Sequence, residues 1–207
     1  MSSANLLLLA DSRLPAGSHA HSGGVEAAVA AERVTDAATL DAFLRGRLAT
    51  AGLVAAAFAA AATRSTVDLD EEFDARTPSP VLREVSRRQG RALLRAGRAM
   101  WTLPATRPDP HHPVALGIVA AAAGLAPLDA ALAAAYASVN GPASAAVRLL
   151  GLDPYEVQAL LAALAPECDR VAAAAAAPAD DLPAAGAPLL DITAEDHATW
   201  EVRLFAS

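Results

Sequence analysis

Lysine is absent from this sequence of 207 residues, so all sixteen basic side chains are arginine. That absence excludes a phosphate-binding loop of the GxxxxGK[S/T] kind, in which a lysine must reach the nucleotide phosphates, and with it an intrinsic GTPase or ATPase of that type. Cysteine is nearly absent too. Cys168 stands alone, which rules out an internal disulfide and any demand for an oxidising compartment. No His–Asp or His–Asn pair is identifiable beside it, so it reads as a small hydrophobe rather than a nucleophile. Positive charge is in deficit: the net charge of −7 argues against a general nucleic-acid binder, which needs cations to neutralise phosphates. The two-residue alternation that marks a half-buried strand is missing. The uncharged runs Leu48–Thr63 and Val114–Leu128 are too short and too rich in alanine for membrane spans and read as buried helices. Leu6–Leu9 is too short for a signal-peptide core, lacks a basic flank and runs straight into Asp11. A cytoplasmic location without membrane attachment is the expectation.

Alanine is what the sequence has in place of large side chains. The hydrophobic fraction is 54% although aromatics make up only 4%. Alanine has the highest helix propensity, and its small side chain lets helices approach closely. A chain of this length buries about 70% of its unfolded surface on folding, so the core needs no staples. Thr35 and Asp36 cap a long helix predicted to reach about Thr63, with Leu40, Phe43, Leu44, Leu48 and Leu53 at helical spacings. Ser79-Pro80 and Asp153-Pro154-x-Glu156 are further start signals, each with a capping side chain followed by proline at the first helical position. Asn140-Gly141-Pro142 predicts an interruption or kink, and Pro166 a break or restart. Thr193-x-x-Asp196 resembles a capping box for a final helix carrying the end of the sequence. The expectation is an all-α, single-domain bundle spanning residues 1–207, with roughly eight to ten helices.

Polar variety is concentrated between Asp11 and Glu26, where two imidazoles, two carboxylates and several hydroxyls crowd into a turn-prone segment. His19-x-His21, with Asp11 and Glu26 nearby, offers ligands to nickel or zinc and would suit a metal-dependent hydrolase. The plainer reading is two histidines hydrogen-bonded within a structured turn. Gly23 and Gly24, opening a helix, suit either an anion or simply a tight turn. His111-His112 reads as a solvated helix entry. Arg87, Arg91, Arg95 and Arg98 recur at three- and four-residue steps, so they share one helix face. That face suits solvent, an acidic protein partner or, least well given the total charge, nucleic acid. Arg148, a lone cation among Val147, Leu149 and Leu150, must snorkel to water or meet a partner.

One further pattern runs the length of the chain. Asp11-Ser12-x-Leu14-Pro15-x-Gly17-x-x-x-His21-Ser22-x-Gly24-x-Glu26 resembles the N-terminal signature of UreF-type urease accessory proteins, and His197-x-Thr199-x-x-x-Arg203-Leu204-Phe205-x-Ser207 resembles their C-terminal motif. Ser86-Arg87-Arg88-Gln89-Gly90-Arg91, Pro113-Val114-Ala115-x-Gly117 and Ala145-Ala146-Val147-Arg148-Leu149 fall between them in matching order. His19 stands where the family more often has phenylalanine, and Ala198 where it usually has glutamate. The resemblance implies a non-catalytic helical homodimer that needs no cofactor or resident metal. It also implies partners of the UreD/UreH and UreG types, the latter a nickel-carrying GTPase, in an assembly that couples GTP hydrolysis to nickel insertion into apo-urease. Under that resemblance the partner-binding candidates are Asp11, Ser12, His21, Ser22, Gly24, Glu26, Arg148, His197, Arg203, Leu204 and Phe205.

Overall fold

The computed structural model of the chain describes residues 3–11, 13–15, 20–65, 67, 69–177 and 181–206. Among these every regular element is helical: α1 (Ser3–Ala10), α2 (Val25–Ala30), α3 (Ala37–Arg47), α4 (Leu53–Ala62), α5 (Leu69–Ala75), α6 (Pro80–Met100), α7 (His112–Ala122), α8 (Pro127–Leu150), α9 (Pro154–Ala176) and α10 (Pro188–Ala198). A π-helical turn, Leu48–Gly52, joins α3 to α4 in one rod of 26 residues. The start signals act as expected. Asp36 accepts from the backbone N of Thr39 at 2.8 Å, Ser79 from that of Leu82 at 3.1 Å, and Asp153 from that of Tyr155 at 2.9 Å. Each satisfies a donor that the first helical turn leaves open.

Helix α4 is the hub, packed against α7, α8 and α9, with α8 and α9 forming the largest helix pair. Small residues allow the approach. A Cβ on Gly117 of α7 would lie 2.3 Å from the carbonyl of Ala59 and 2.5 Å from the Cβ of Ala62. One on Gly90 of α6 would lie 2.0 Å from the carbonyl of Pro110. The 37–62 rod is long and apolar enough to cross a bilayer; its α4 half is buried among neighbouring helices, with Phe58 fully enclosed.

The prolines do not interrupt their helices. Both α8 and α9 run unbroken through Pro142 and Pro166. A proline has no N–H for the carbonyl four residues back, which for Pro142 is that of Ser138. The side chain of Arg47, arriving from α3, supplies the missing donor: its Nε lies 3.0 Å from that carbonyl oxygen. Gly52 makes the approach possible, since a Cβ there would meet Ser138 Oγ at 2.7 Å. Helix α10 also departs from the reading above. It begins at Pro188 and ends at Ala198, so Thr193 lies inside it, its hydroxyl donating to the carbonyl of Leu189 at 2.8 Å. The terminal motif continues beyond the helix as non-helical chain.

Candidate functional site

Glu26 joins the two ends of the chain. It sits in the first turn of α2, buried at 7% exposure. One carboxylate oxygen accepts from the backbone N of Leu204 at 2.7 Å. The other accepts from the backbone N of Phe205 at 3.2 Å and lies 2.8 Å from His197 Nε2. An ionised carboxylate only accepts, so the imidazole carries its proton on Nε2. The backbone N of Ala206 adds a bond of 2.7 Å to the carbonyl of Ala20. Charge-assisted bonds of this kind fix both distance and direction.

The rest of the N-terminal signature shapes the ground under this seam. Ser22 Oγ accepts from the backbone N of Gly24 at 3.3 Å and of Glu26 at 3.4 Å. Gly23 and Gly24 hold φ of 62° and 90°, values that side chains rarely tolerate. They also clear space: a Cβ at either would come within 2.9 Å of Pro142 Cγ or Leu190 Cδ2 respectively. Asp11, by contrast, stays within its own turn, accepting from the backbone N of Arg13 at 2.8 Å and pairing with its guanidinium at 2.7 Å. Those bonds push its pKa down to about 2. Ser12, His19 and Ser207 lie outside the described residues.

From the other side, the Arg148 guanidinium rests over the Phe205 ring, 4.7 Å from its centroid. The lone cation of α8 therefore meets an aromatic face instead of only snorkelling to water. Phe205 is buried, whereas Arg203 is exposed and the Leu204 side chain points away from the core at 67% exposure. His197 and Arg203 do not share a helix, because the chain has left α10 between them.

A cavity of about 230 Å³ opens beside the seam. His21, Ser22, Gly23, Gly24 and His197 contribute from the two ends, Arg47 from α3, and Ser86, Gln89 and His112 from the joint between α6 and α7. Burial, with a smaller contribution from the neighbouring His21, pushes the pKa of His112 down to about 4. Burial alone pushes that of Arg47 down to about 10, so at neutral pH the histidine is neutral and the arginine charged. Among the described residues no group of three His, Cys, Asp or Glu side chains is placed to hold a metal.

His111-His112 is a correction to the sequence reading. Neither ring is a solvated entry: His112 lines the cavity and His111 is fully buried. His111 Nε2 lies 2.8 Å from Asp74, its backbone N donates to Asp70 at 2.7 Å, and its ring packs on Phe73 at 4.7 Å. Arg87 joins this knot, donating to Asp74 at 2.7 Å and to the carbonyl of Asp109 at 2.9 Å. Burial works to raise the pKa of Asp74, yet the bonds from His111 and Arg87 outweigh it and hold the carboxyl below its usual value. Desolvation lowers that of His111. The SRRQGR motif is thereby explained as a joint. Ser86 accepts from the backbone N of His112 at 3.1 Å, Arg87 ties in α5, and Gly90 admits Pro110. Arg88, Arg91, Arg95 and Arg98 remain exposed.

Comparison with known proteins places this geometry in a family. Residues 34–165 match the family model UreF. The chain is 51% identical over 208 residues to a protein named urease accessory protein UreF from Mycobacterium sp. (strain JLS), covering 98% of this chain and 97% of that one. It is 48% identical to the protein of that name from Mycolicibacterium vanbaalenii, over 99% of this chain and 98% of the relative. The corresponding protein of Mycobacterium marinum is 49% identical, again over 99% and 98%. The chain belongs to the UreF family. The matched core, 34–165, excludes both Glu26 and the terminal motif, so the seam lies where the family model does not reach but the near-full-length relatives do. Within this UreF chain, sequence reasoning singled out Ser22, Gly24, Glu26, His197 and Phe205 as partner-binding candidates, but not Arg47, and it took His112 for a solvated helix entry. The signal for Arg47 was a freed carbonyl at Ser138, which becomes informative once α3 and α8 are known to be neighbours.

Proposed function

We propose that this UreF-family protein is a non-catalytic scaffold of urease maturation. In this reading it works in the cytoplasm as a homodimer, holds UreD/UreH-type and UreG-type accessory proteins against apo-urease, and couples GTP hydrolysis by the UreG-type partner to nickel insertion. Nickel is cargo here, not a resident cofactor. The observation that carries the reading is the closure of the terminal motif onto Glu26. It spends the backbone of Leu204 and Phe205 on internal bonds and leaves Arg203 and the Leu204 side chain facing outward. Val202 at 85%, Ile192 at 66% and Leu189 at 54% exposure extend this apolar character over the tail and α10. Exposed apolar side chains with a neighbouring arginine are the composition of a protein-binding patch. A preorganised surface of this kind suits a protein whose chemistry belongs to what it holds.

The test is co-purification of the full chain with UreD/UreH-type and UreG-type partners, with and without GTP, followed by urease activation. Arg203→Ala and deletion of residues 199–207 are expected to lose the complex and the activation. Full assembly and normal urease activity in both variants would remove the tail from the interface.

A further inference from the structure

Arg47 differs from Arg76 and Arg87, two other half-buried arginines. Arg76 pairs with Glu72, and Arg87 with Asp74 at 2.7 Å. Among the described residues Arg47 has no carboxylate within ion-pair reach, and its acceptor is the carbonyl of Ser138, taken by Nε. Removing a cation from water without a counter-charge is costly, and a guanidinium does not escape the cost by discharging at neutral pH. Among the described residues neither terminal nitrogen meets an acceptor, and Nη2 lies beside Gly23 at the cavity wall, 3.3 Å from where a Cβ would sit. The planar fork they form matches an oxyanion bidentately. Around it the cavity supplies Gln89 and the neutral His112, whose ring has an N–H to donate. Among the described residues Asp191 is the one carboxylate in the lining, and it accepts from the backbone N of Ser79 at 3.3 Å.

We propose that this cavity is a binding site for a small oxyanion, a carboxylate, bicarbonate or phosphate group, held by Nη1 and Nη2 of Arg47. The volume of about 230 Å³ accommodates such a group with water. The site goes beyond the scaffold reading and does not depend on any partner.

The test uses the full chain alone, titrated with acetate, bicarbonate and inorganic phosphate at constant ionic strength, with chloride as the reference, read by calorimetry and by the shift in Tm. A saturable, single-site response to at least one oxyanion is expected, with affinity about tenfold or more weaker in Arg47→Met. Arg47→Met also strips the donor from Ser138, so Ala55→Leu serves as a second variant: it fills the lining while leaving the Arg47–Ser138 bond in place. Loss of binding in Ala55→Leu supports the site. An oxyanion response no different from chloride in the wild-type protein, or unchanged affinity in Ala55→Leu, overturns it.

Discussion

The hub of the molecule and its polar seam are held together by opposite means. Around α4 the chain relies on numerous weak, non-directional contacts between small side chains, so that even a glycine Cβ at position 117 would collide. At the seam a single buried carboxylate collects three donors from residues 171 to 179 positions away in sequence. The first arrangement resists change everywhere at once. The second can be released by one substitution or one competing donor, and it carries the residues that point outward. The proposed scaffold role would draw on that division: a closely packed body, and a tail whose presentation is set by a few bonds.

The contrast can be broken first at its strong end. Phe58 is fully buried and touches Phe73 edge-on at 5.1 Å, so Phe58→Ala is expected to cost about 3–5 kcal/mol. Denaturant unfolding should show the whole chain losing stability cooperatively. A loss confined to the α5 region would mean that α4 is not the hub.

Next comes the cavity between the two regions. The pKa of His112 is about 4 in the folded chain against 6.5 in the unfolded one. The unfolded state therefore binds more protons between these values, and stability present above pH 6.5 is lost as pH falls towards 4. The His112 share is up to ~3 kcal/mol, with His111, also depressed, adding in the same direction. His112→Asn should flatten the acid limb of a stability–pH curve by its own share. An unchanged slope would show the ring to be as well solvated folded as unfolded.

At the seam itself, Glu26→Gln turns an acceptor into an amide whose NH2 faces donors, at a cost of about 1–3 kcal/mol. The effect should be local. Amide exchange at Leu204 and Phe205 should accelerate by about tenfold or more while α4 amides keep their protection. Uniform acceleration across the chain would make the seam part of the core instead.

How much of this was legible beforehand follows the same division. Helix starts were readable because Asp36, Ser79 and Asp153 act on donors two or three residues away. The all-α class was readable because alanine propensity is intrinsic. Glu26, His197 and Phe205 were singled out through family motifs, yet their meeting was not derivable, since nothing local at residue 26 encodes an encounter with residue 205. The reading of Pro142 as an interruption failed for a related reason: local rules say that Pro142 breaks a hydrogen bond, and only tertiary packing brings Arg47 to replace it. His111 was misjudged because its burial depends on Asp70, Asp74 and Phe73 from a helix some forty positions earlier.

The smallest effect separates two ways of holding the tail. Phe205 is buried at 4% exposure beneath an exposed Arg148, so its anchoring combines apolar burial with the guanidinium over its ring. Burial of an aromatic side chain contributes about 1.5–3 kcal/mol, whereas a cation–π contact at an exposed position contributes about 0.5–1 kcal/mol. Arg148→Ala should therefore loosen the tail only slightly, raising exchange at Phe205 about two- to fivefold with global stability nearly unchanged. Arg148→Lys keeps a cation on a flexible stem and should recover part of the protection. Arg148→Met keeps the stem but not the charge, and recovery as full as with lysine would assign the contact to apolar cover. If Arg148→Ala freed the tail as thoroughly as Glu26→Gln, the three bonds to the carboxylate would not be what holds it, and the seam would owe its closure to the ring and its cation.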